Sequence, residues 1–227
     1  YMVQNGMAFI TGFWYGQETV HIPETLGGYP VKGIQDLGWE PRMNTVHLYI
    51  PDCVTMLGDS VFAGGESSWR NLRTISFGSG ISGLSMDMFA GCKQLEAVDV
   101  AKDNAYYYSE DGVVYTKDMT EVVIFPLAKT GTYYLPDSVQ NADAIFDNLG
   151  ELSASIEFEK VDGYVKENGV VYNEDKTVLI AVDRDLTGSY VMPDSVTEIK
   201  RFAFQNSSLS HVTVSKNVTE IVYYTFY

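Results

Sequence analysis

Pro51-Asp-Cys-Val54-Thr-Met-Leu57-Gly-Asp-Ser-Val-Phe62 and Pro193-Asp-Ser-Val196-Thr-Glu-Ile199-Lys-Arg-Phe-Ala-Phe204 are one phrase written twice. Apolar residues stand 3, 6 and 11 positions after the proline in both. Gly78, Ile81, Leu84 and Phe89 repeat those offsets with glycine in the first place, and Ser215, Val218, Ile221 and Phe226 repeat them with serine. Pro136-Asp-Ser-Val139 opens a fifth copy whose Phe146 is slipped by one residue. Ile22-Pro23 through Val31 and Ile34 form a degenerate first copy with a Gly27-Gly28 insertion. Self-similarity of this kind marks a stacked-repeat architecture, in which one unit cannot bury its own apolar residues and must lean on its neighbours.

A second pattern precedes each copy. It reads Leu72-x-x-Ile75-x-Phe77, Leu95-x-x-Val98-x-Val100 and Leu209-x-x-Val212-x-Val214. Alternation with β-branched residues predicts a short half-buried strand. Asp59 to Phe62 and Asp87 to Phe89 read as single helical turns. The unit is therefore strand, turn, extended piece and helical turn, about 22–27 residues long, which lies within the leucine-rich-repeat range. Stacking should set Ile75 beside Val98 in a continuous aliphatic ladder.

A longer period is superimposed. Asp111-Gly112-Val-Val-Tyr115 recurs as Asn168-Gly169-Val-Val-Tyr172, and Gly131 and Pro136 recur as Gly188 and Pro193, each 57 residues on. Asp-Gly and Asn-Gly are strong two-residue hairpin turns. Second turns at Lys117-Asp118 and Glu174-Asp175-Lys176 lead to predicted strands at 121–125 and 177–181. Two β-hairpin inserts, residues 102–127 and 161–182, thus interrupt the stack. Residues 1–20, with Phe9, Phe13, Trp14 and Tyr15 among Gly6, Gly12 and Gly16, read as an N-terminal hairpin cap. Phe226 falls inside a repeat, with no cap visible after it.

These motifs resemble the BspA-like leucine-rich repeats. The resemblance rests on Phe89-Ala-Gly-Cys92-Lys-Gln-Leu95, Pro193 to Ile199 with Ala203-Phe204, the Ser109 to Tyr115 segment, and Ile22 to Val31. It runs from about residue 5 to 227 and departs at Gly78-Ser-Gly80, at the 64–69 insertion and at 141–150. It implies a mainly β, leucine-rich-repeat solenoid of short parallel strands with helical turns on the convex side, forming a single domain over 1–227. It further implies a surface-exposed or secreted bacterial protein associated with adhesion to host matrix proteins and with binding between cells. Fold by itself does not assign function.

The 227 residues carry 15 Lys and Arg against 30 Asp and Glu, a net charge of −15. Phosphate affinity comes from clustered cations, so nucleic acid and anionic membrane surfaces are excluded as main partners. Apolar runs such as Val122 to Phe125 are too short to span a bilayer. The chain opens on Tyr1 without the basic and apolar segments of a leader. A leader has been removed or the sequence is a trimmed piece, so its absence does not count against secretion. Cys53 and Cys92 sit at different points of the repeat and are expected as free, unreactive thiols.

Candidate chemistry is sparse. Gly78-Ser-Gly80-Ile-Ser-Gly83 has the spacing of a dinucleotide-binding turn, but only one helical turn fits before Gly91, so it reads as a repeat turn. His21, His47 and His211 are isolated, without metal-ligand spacing, and no Gly-x-Ser-x-Gly elbow occurs. Asp52, Asp137 and Asp194 share one repeat position, where Asp bonds its own turn backbone. Stacked, they would offer oxygen ligands to Ca²⁺, but the loop pattern of a calcium site is missing. No catalytic residue, metal or cofactor is assigned.

Alternation points His47, Tyr49, Thr74, Ser76, Asp99, Tyr134, Val191, His211 and Thr213 out of the sheet face, which is expected to be the binding surface. Tyr133 and Leu135 should point inward beside outward Tyr134. The functional expectation is non-enzymatic binding of a protein partner at or outside the cell surface, with excess negative charge favouring a basic partner. The alternatives are a carbohydrate-binding module using exposed Tyr and Trp, such as Trp69 in the insertion, and a structural spacer.

Overall fold

Alternation becomes structure most clearly in Thr74-Ile75-Ser76-Phe77. Ile75 and Phe77 are buried, and Thr74 and Ser76 lie on the open side. The computed structural model describes residues 1–12, 17–35, 44–63 and 69–226. These belong to two compact units, residues 1–129 and 130–227.

In the first unit, Thr19–His21, His47–Ile50, Thr74–Phe77 and Ala97–Val100 form one parallel sheet in that order. The register sets Val20, Leu48, Ile75 and Val98 side by side. Thr19–His21 is the first strand of this sheet, so the expected cap over 1–20 ends earlier. The hairpin proper is Met2–Gln4 with Met7–Ile10. It turns at Asn5 and Gly6, both at positive φ, as a two-residue turn requires. Phe13 to Gly16 lie outside the described residues.

Met7–Ile10 pairs in parallel with Tyr29–Ile34, and that strand with Met56–Leu57. The insertion Gly27-Gly28 is a second tight turn, joining Thr25–Leu26 to Tyr29–Ile34 with both glycines at positive φ.

The apolar residues after most Pro-type positions fill the core, whereas Ile221 and Phe226 of the last copy are exposed. Phe62 and Phe89 stack at 5.1 Å, and Phe77 meets both edge-on. The helical turn at 86–89 is a 3-10 helix, Met86–Phe89, and the slipped fifth copy is a short α-helix, Asp143–Phe146.

The substitution of Gly-Ser-Gly for proline has a steric cause. A Cβ at Gly78 would lie 2.4 Å from the Asp52 backbone nitrogen, and one at Gly80 would lie 2.2 Å from the Asp52 carbonyl oxygen. The turn of one coil therefore presses directly on the backbone of the coil before it. Asp52 also ties the two together: its Oδ1 accepts the Ser79 N–H at 2.7 Å. Asp52 was expected to bond within its own turn; it bonds the next coil instead.

The inserts are three-stranded meanders. Tyr107–Glu110, Val113–Thr116 and Val122–Ile124 form the first, and Tyr164–Glu167, Val170–Asn173 and Val178–Val182 the second. Asp111-Gly112 and Asn168-Gly169 take positive φ at both turn positions. The first meander docks on the last strand of the parallel sheet. Gly112 O accepts the Val98 N–H at 2.9 Å, and Ser109 Oγ accepts the Val100 N–H at 2.9 Å. Fully buried Asn104 clamps the approach. It donates to Ser79 O and Ile81 O and accepts from the N–H groups of Tyr106 and Tyr107, so its amide is satisfied.

In the second unit, Gly131–Tyr134 pairs in parallel with Ala154–Glu157, and Gly188–Val191 with Leu209–Thr213. Val178–Val182 pairs in parallel with Glu198–Ile199, so the second meander is joined to its coil through the sheet. Its core gathers Val170, Tyr172, Leu179, Met192, Val196, Ile199 and Phe204. Lys166 occupies in the second meander the place of Ser109 in the first. Its buried ammonium donates to Ile156 O and pairs with Glu157 at 2.8 Å and Asp183 at 2.8 Å.

Cys92 is buried, directs its thiol at Phe62 O, and is pushed up to about 12 by burial. Cys53 is also free, and burial is the first cause that raises its thiol.

Two outcomes follow for stability. Gly80→Ala should lower the urea midpoint by the equivalent of about 2–3 kcal/mol, because its neighbour is backbone that cannot step aside. Gly83→Ala, where the added Cβ meets nothing within 4 Å, should leave it nearly unchanged. The second outcome concerns pH. A thiol raised in the folded state keeps its proton after the unfolded chain has lost it, so its contribution is whole below pH 9.0 and declines as pH climbs toward about 12. Stability curves measured from pH 8 to about 10.5 should therefore fall less steeply for Cys92→Ala than for the parent. Parallel curves would refute this.

Candidate functional site

Parallel sheets are usually covered on both faces. The sheet of the first unit is covered on one. Its open face consists of the outward residues of four strands in two rows. Thr19, His47, Thr74 and Ala97 make one row, and His21, Tyr49, Ser76 and Asp99 the other. Five of the expected surface residues, His47, Tyr49, Thr74, Ser76 and Asp99, are thus brought together by register.

Their local partners differ. His47 is half-buried, and its Nδ1 lies 2.7 Å from Thr74 Oγ1, so these two satisfy each other. Tyr49 is 40 % exposed, and one face of its ring is covered by His21, parallel to it at 4.3 Å between centroids. Tyr49 Oη, Ser76 Oγ and the Asp99 carboxylate have no hydrogen-bond partner among the described residues. Beside this row lies a shallow depression of about 340 Å³, bordered by Tyr49, Ser76, Glu24 and Asp52. His21, read from the sequence as an isolated histidine just past the 1–20 cap, was absent from the expected surface. Thr19-Val20-His21 aligned on His47-Leu48-Tyr49 carries the signal that places it.

The remaining four expected residues belong to the second unit. Tyr134 stands out from Gly131–Tyr134 at 73 % exposure, beside buried Tyr133 and Leu135. Val191, at 68 % exposure, is the register partner of Thr213. His211 is exposed, with Nδ1 3.1 Å from Ser210 Oγ. Tyr134 is on a different two-stranded sheet from the other three.

Trp69 overturns one expectation. It was named as an exposed aromatic for sugar binding. It is 1 % exposed, packs on Phe62 at 5.5 Å and donates its indole N–H to Val61 O at 2.7 Å. It is a core residue that closes the insertion; residues 64–68 lie outside the described residues.

Two of the aspartates sharing the Pro-Asp position have partners of their own. Asp52 accepts the Ser79 N–H, and Asp194 pairs with Lys216 at 2.8 Å. Among the described residues no group of three or more His, Cys, Asp or Glu is arranged to hold a metal ion. No helix among them is long and apolar enough to cross a membrane.

Comparison with known proteins agrees with this architecture. A family model for the BspA type leucine rich repeat region matches residues 31–127 and 186–227, in six copies. No curated protein matches the chain. Among solved structures, the chain is similar to the pneumococcal vaccine antigen PcpA, with a TM-score of 0.51 and 15 % identity over 91 % of this chain. It spans 66 % of that protein's chain. It is also similar to a leucine rich cell surface protein from Faecalibacterium prausnitzii A2-165, with 18 % identity, a TM-score of 0.49, and coverage of 96 % of this chain and 75 % of that one. The Pro-type turns, the laddered strands and the Phe stack thus have a common origin: this chain belongs to the BspA type leucine-rich-repeat family.

Proposed function

We propose that the protein is a non-enzymatic binding protein, secreted or displayed at the cell surface, that engages a protein partner through the open face of its parallel strands in an adhesive role. The observation that carries this reading is the outer row of the first unit. There, register aligns an aromatic ring, a hydroxyl and a carboxylate, with no partner for their polar atoms among the described residues. Membership of a family of surface repeat proteins supports the location, as does likeness in fold to a vaccine antigen. The chemistry on the face supports recognition over catalysis. His47 and Thr74 are tied to each other across adjacent strands, and the neighbouring row offers a ring, a hydroxyl and a carboxylate as a contact strip. The carbohydrate alternative loses Trp69 and rests on exposed tyrosines alone.

The test is capture of the purified chain on immobilised matrix proteins and polysaccharides at physiological salt. Tyr49→Ala is compared with the double variant Tyr134→Ala/His211→Ala. The reading expects a protein ligand whose capture drops at least about tenfold in Tyr49→Ala, in the manner of a central aromatic anchor. Loss only in the double variant would move the site to the second unit. Capture by polysaccharide alone would favour the sugar-binding alternative.

A further inference from the structure

We infer that the Tyr49–Ser76–Asp99 row is a slot for an arginine side chain of a basic polypeptide partner; this deepens the reading above and rests on it. The argument is one of spacing. Tyr49, Ser76 and Asp99 are register partners on three adjacent strands. Neighbouring strands lie about 4.8 Å apart, so the Tyr49 and Asp99 side chains rise from lines roughly 9.6 Å apart. Ser76 between them is short. The row is therefore a wall, a floor and a second wall, and the opening has the width of one planar group stacked on a ring.

The chemistry of the walls selects that group. His21 covers one face of the Tyr49 ring in a near-parallel stack. The other face looks across Ser76 toward an exposed, unpaired carboxylate. A cation held within about 6 Å of an aromatic centroid is attracted to the ring face, and a guanidinium does this by lying flat on it. In that position its lower edge donates to Ser76 Oγ, and the Asp99 carboxylate on the opposite wall supplies the counter-charge. A carboxylate or phosphate ligand is repelled here, since Asp99 forms one wall, Asp52 and Glu24 border the depression beside the row, and the whole chain carries −15. Arg73, the residue before Thr74–Phe77, is paired with Glu96, the residue before Ala97–Val100. A lysine ammonium satisfies the carboxylate but lacks the plane that fills the space against Tyr49, so the slot distinguishes the two cations.

The test is NMR titration of the 227-residue chain with N-acetyl-arginine methylamide, its lysine counterpart and its citrulline counterpart, which is nearly isosteric with arginine but uncharged. Arginine should shift the amides of Tyr49, Ser76 and Asp99 and bind about threefold tighter than lysine, with no saturable response to citrulline. Asp99→Asn and Tyr49→Leu should each weaken arginine binding about three- to fivefold, and raising the salt should weaken it further. Both positions are outward, and unchanged thermal melts certify that the variants are folded. Equal responses to lysine and arginine, shifts centred elsewhere, or indifference to Asp99→Asn would overturn the slot. The sheet-face reading is scored separately by the capture experiment. A silent titration beside a partner lost in Tyr49→Ala would sink the arginine slot and leave the face as the binding surface.

Discussion

The rise of about 4.8 Å between parallel strands governs this molecule. Backbone hydrogen bonds fix the distance from one coil to the next, and every other feature has to fit within it. Ile75 stacks between Leu48 and Val98 because register leaves no other neighbour. Phe62 and Phe89 stack nearly parallel for the same reason. The turns must also nest at this spacing, and Gly78 and Gly80 leave no room for a side chain against the Pro51-Asp52 backbone. What looked like a departure from the repeat is the repeat's geometry expressed through the smallest residue.

A stack built this way raises the problem of its edges, since a terminal strand presents unpaired backbone groups. The first meander answers it for Ala97–Val100, with Gly112 O and Ser109 Oγ receiving the N–H groups of Val98 and Val100. The second meander meets the strand Ala154–Glu157 at the corresponding point, using the Lys166 ammonium. A hydroxyl suffices where the contact is backbone alone. A lysine serves where Glu157 and Asp183 must also be neutralised. Desolvation raises the Asp183 carboxyl, and the Lys166 ammonium beside it opposes that rise.

The same stacking creates the surface. Side chains of one face are forced into rows, so residues 27, 23 and more positions apart in the chain become neighbours. A recognition row can then be varied one residue per coil without touching the core, because alternation keeps inward and outward positions independent. Tyr49, Ser76 and Asp99 share no chemistry and still share a row.

The repeat offsets, the strand pattern and the two Asx-Gly turns were legible from the chain alone, because each follows from short-range periodicity and backbone preference. So was the outward direction of Tyr49, Asp99, Tyr134 and His211, which alternation dictates. The family resemblance rested on the same local phrases. The tertiary structure decided what depends on distant neighbours. It placed Thr19–His21 in the first coil and so stacked His21 on Tyr49, a pairing between residues that no local pattern links. It buried Trp69, since indole packing against Phe62 and a bond to Val61 O outweigh the polar sequence around it. It redirected Asp52 to the next coil. Periodicity specifies which way a side chain points; only the completed stack specifies what it meets there.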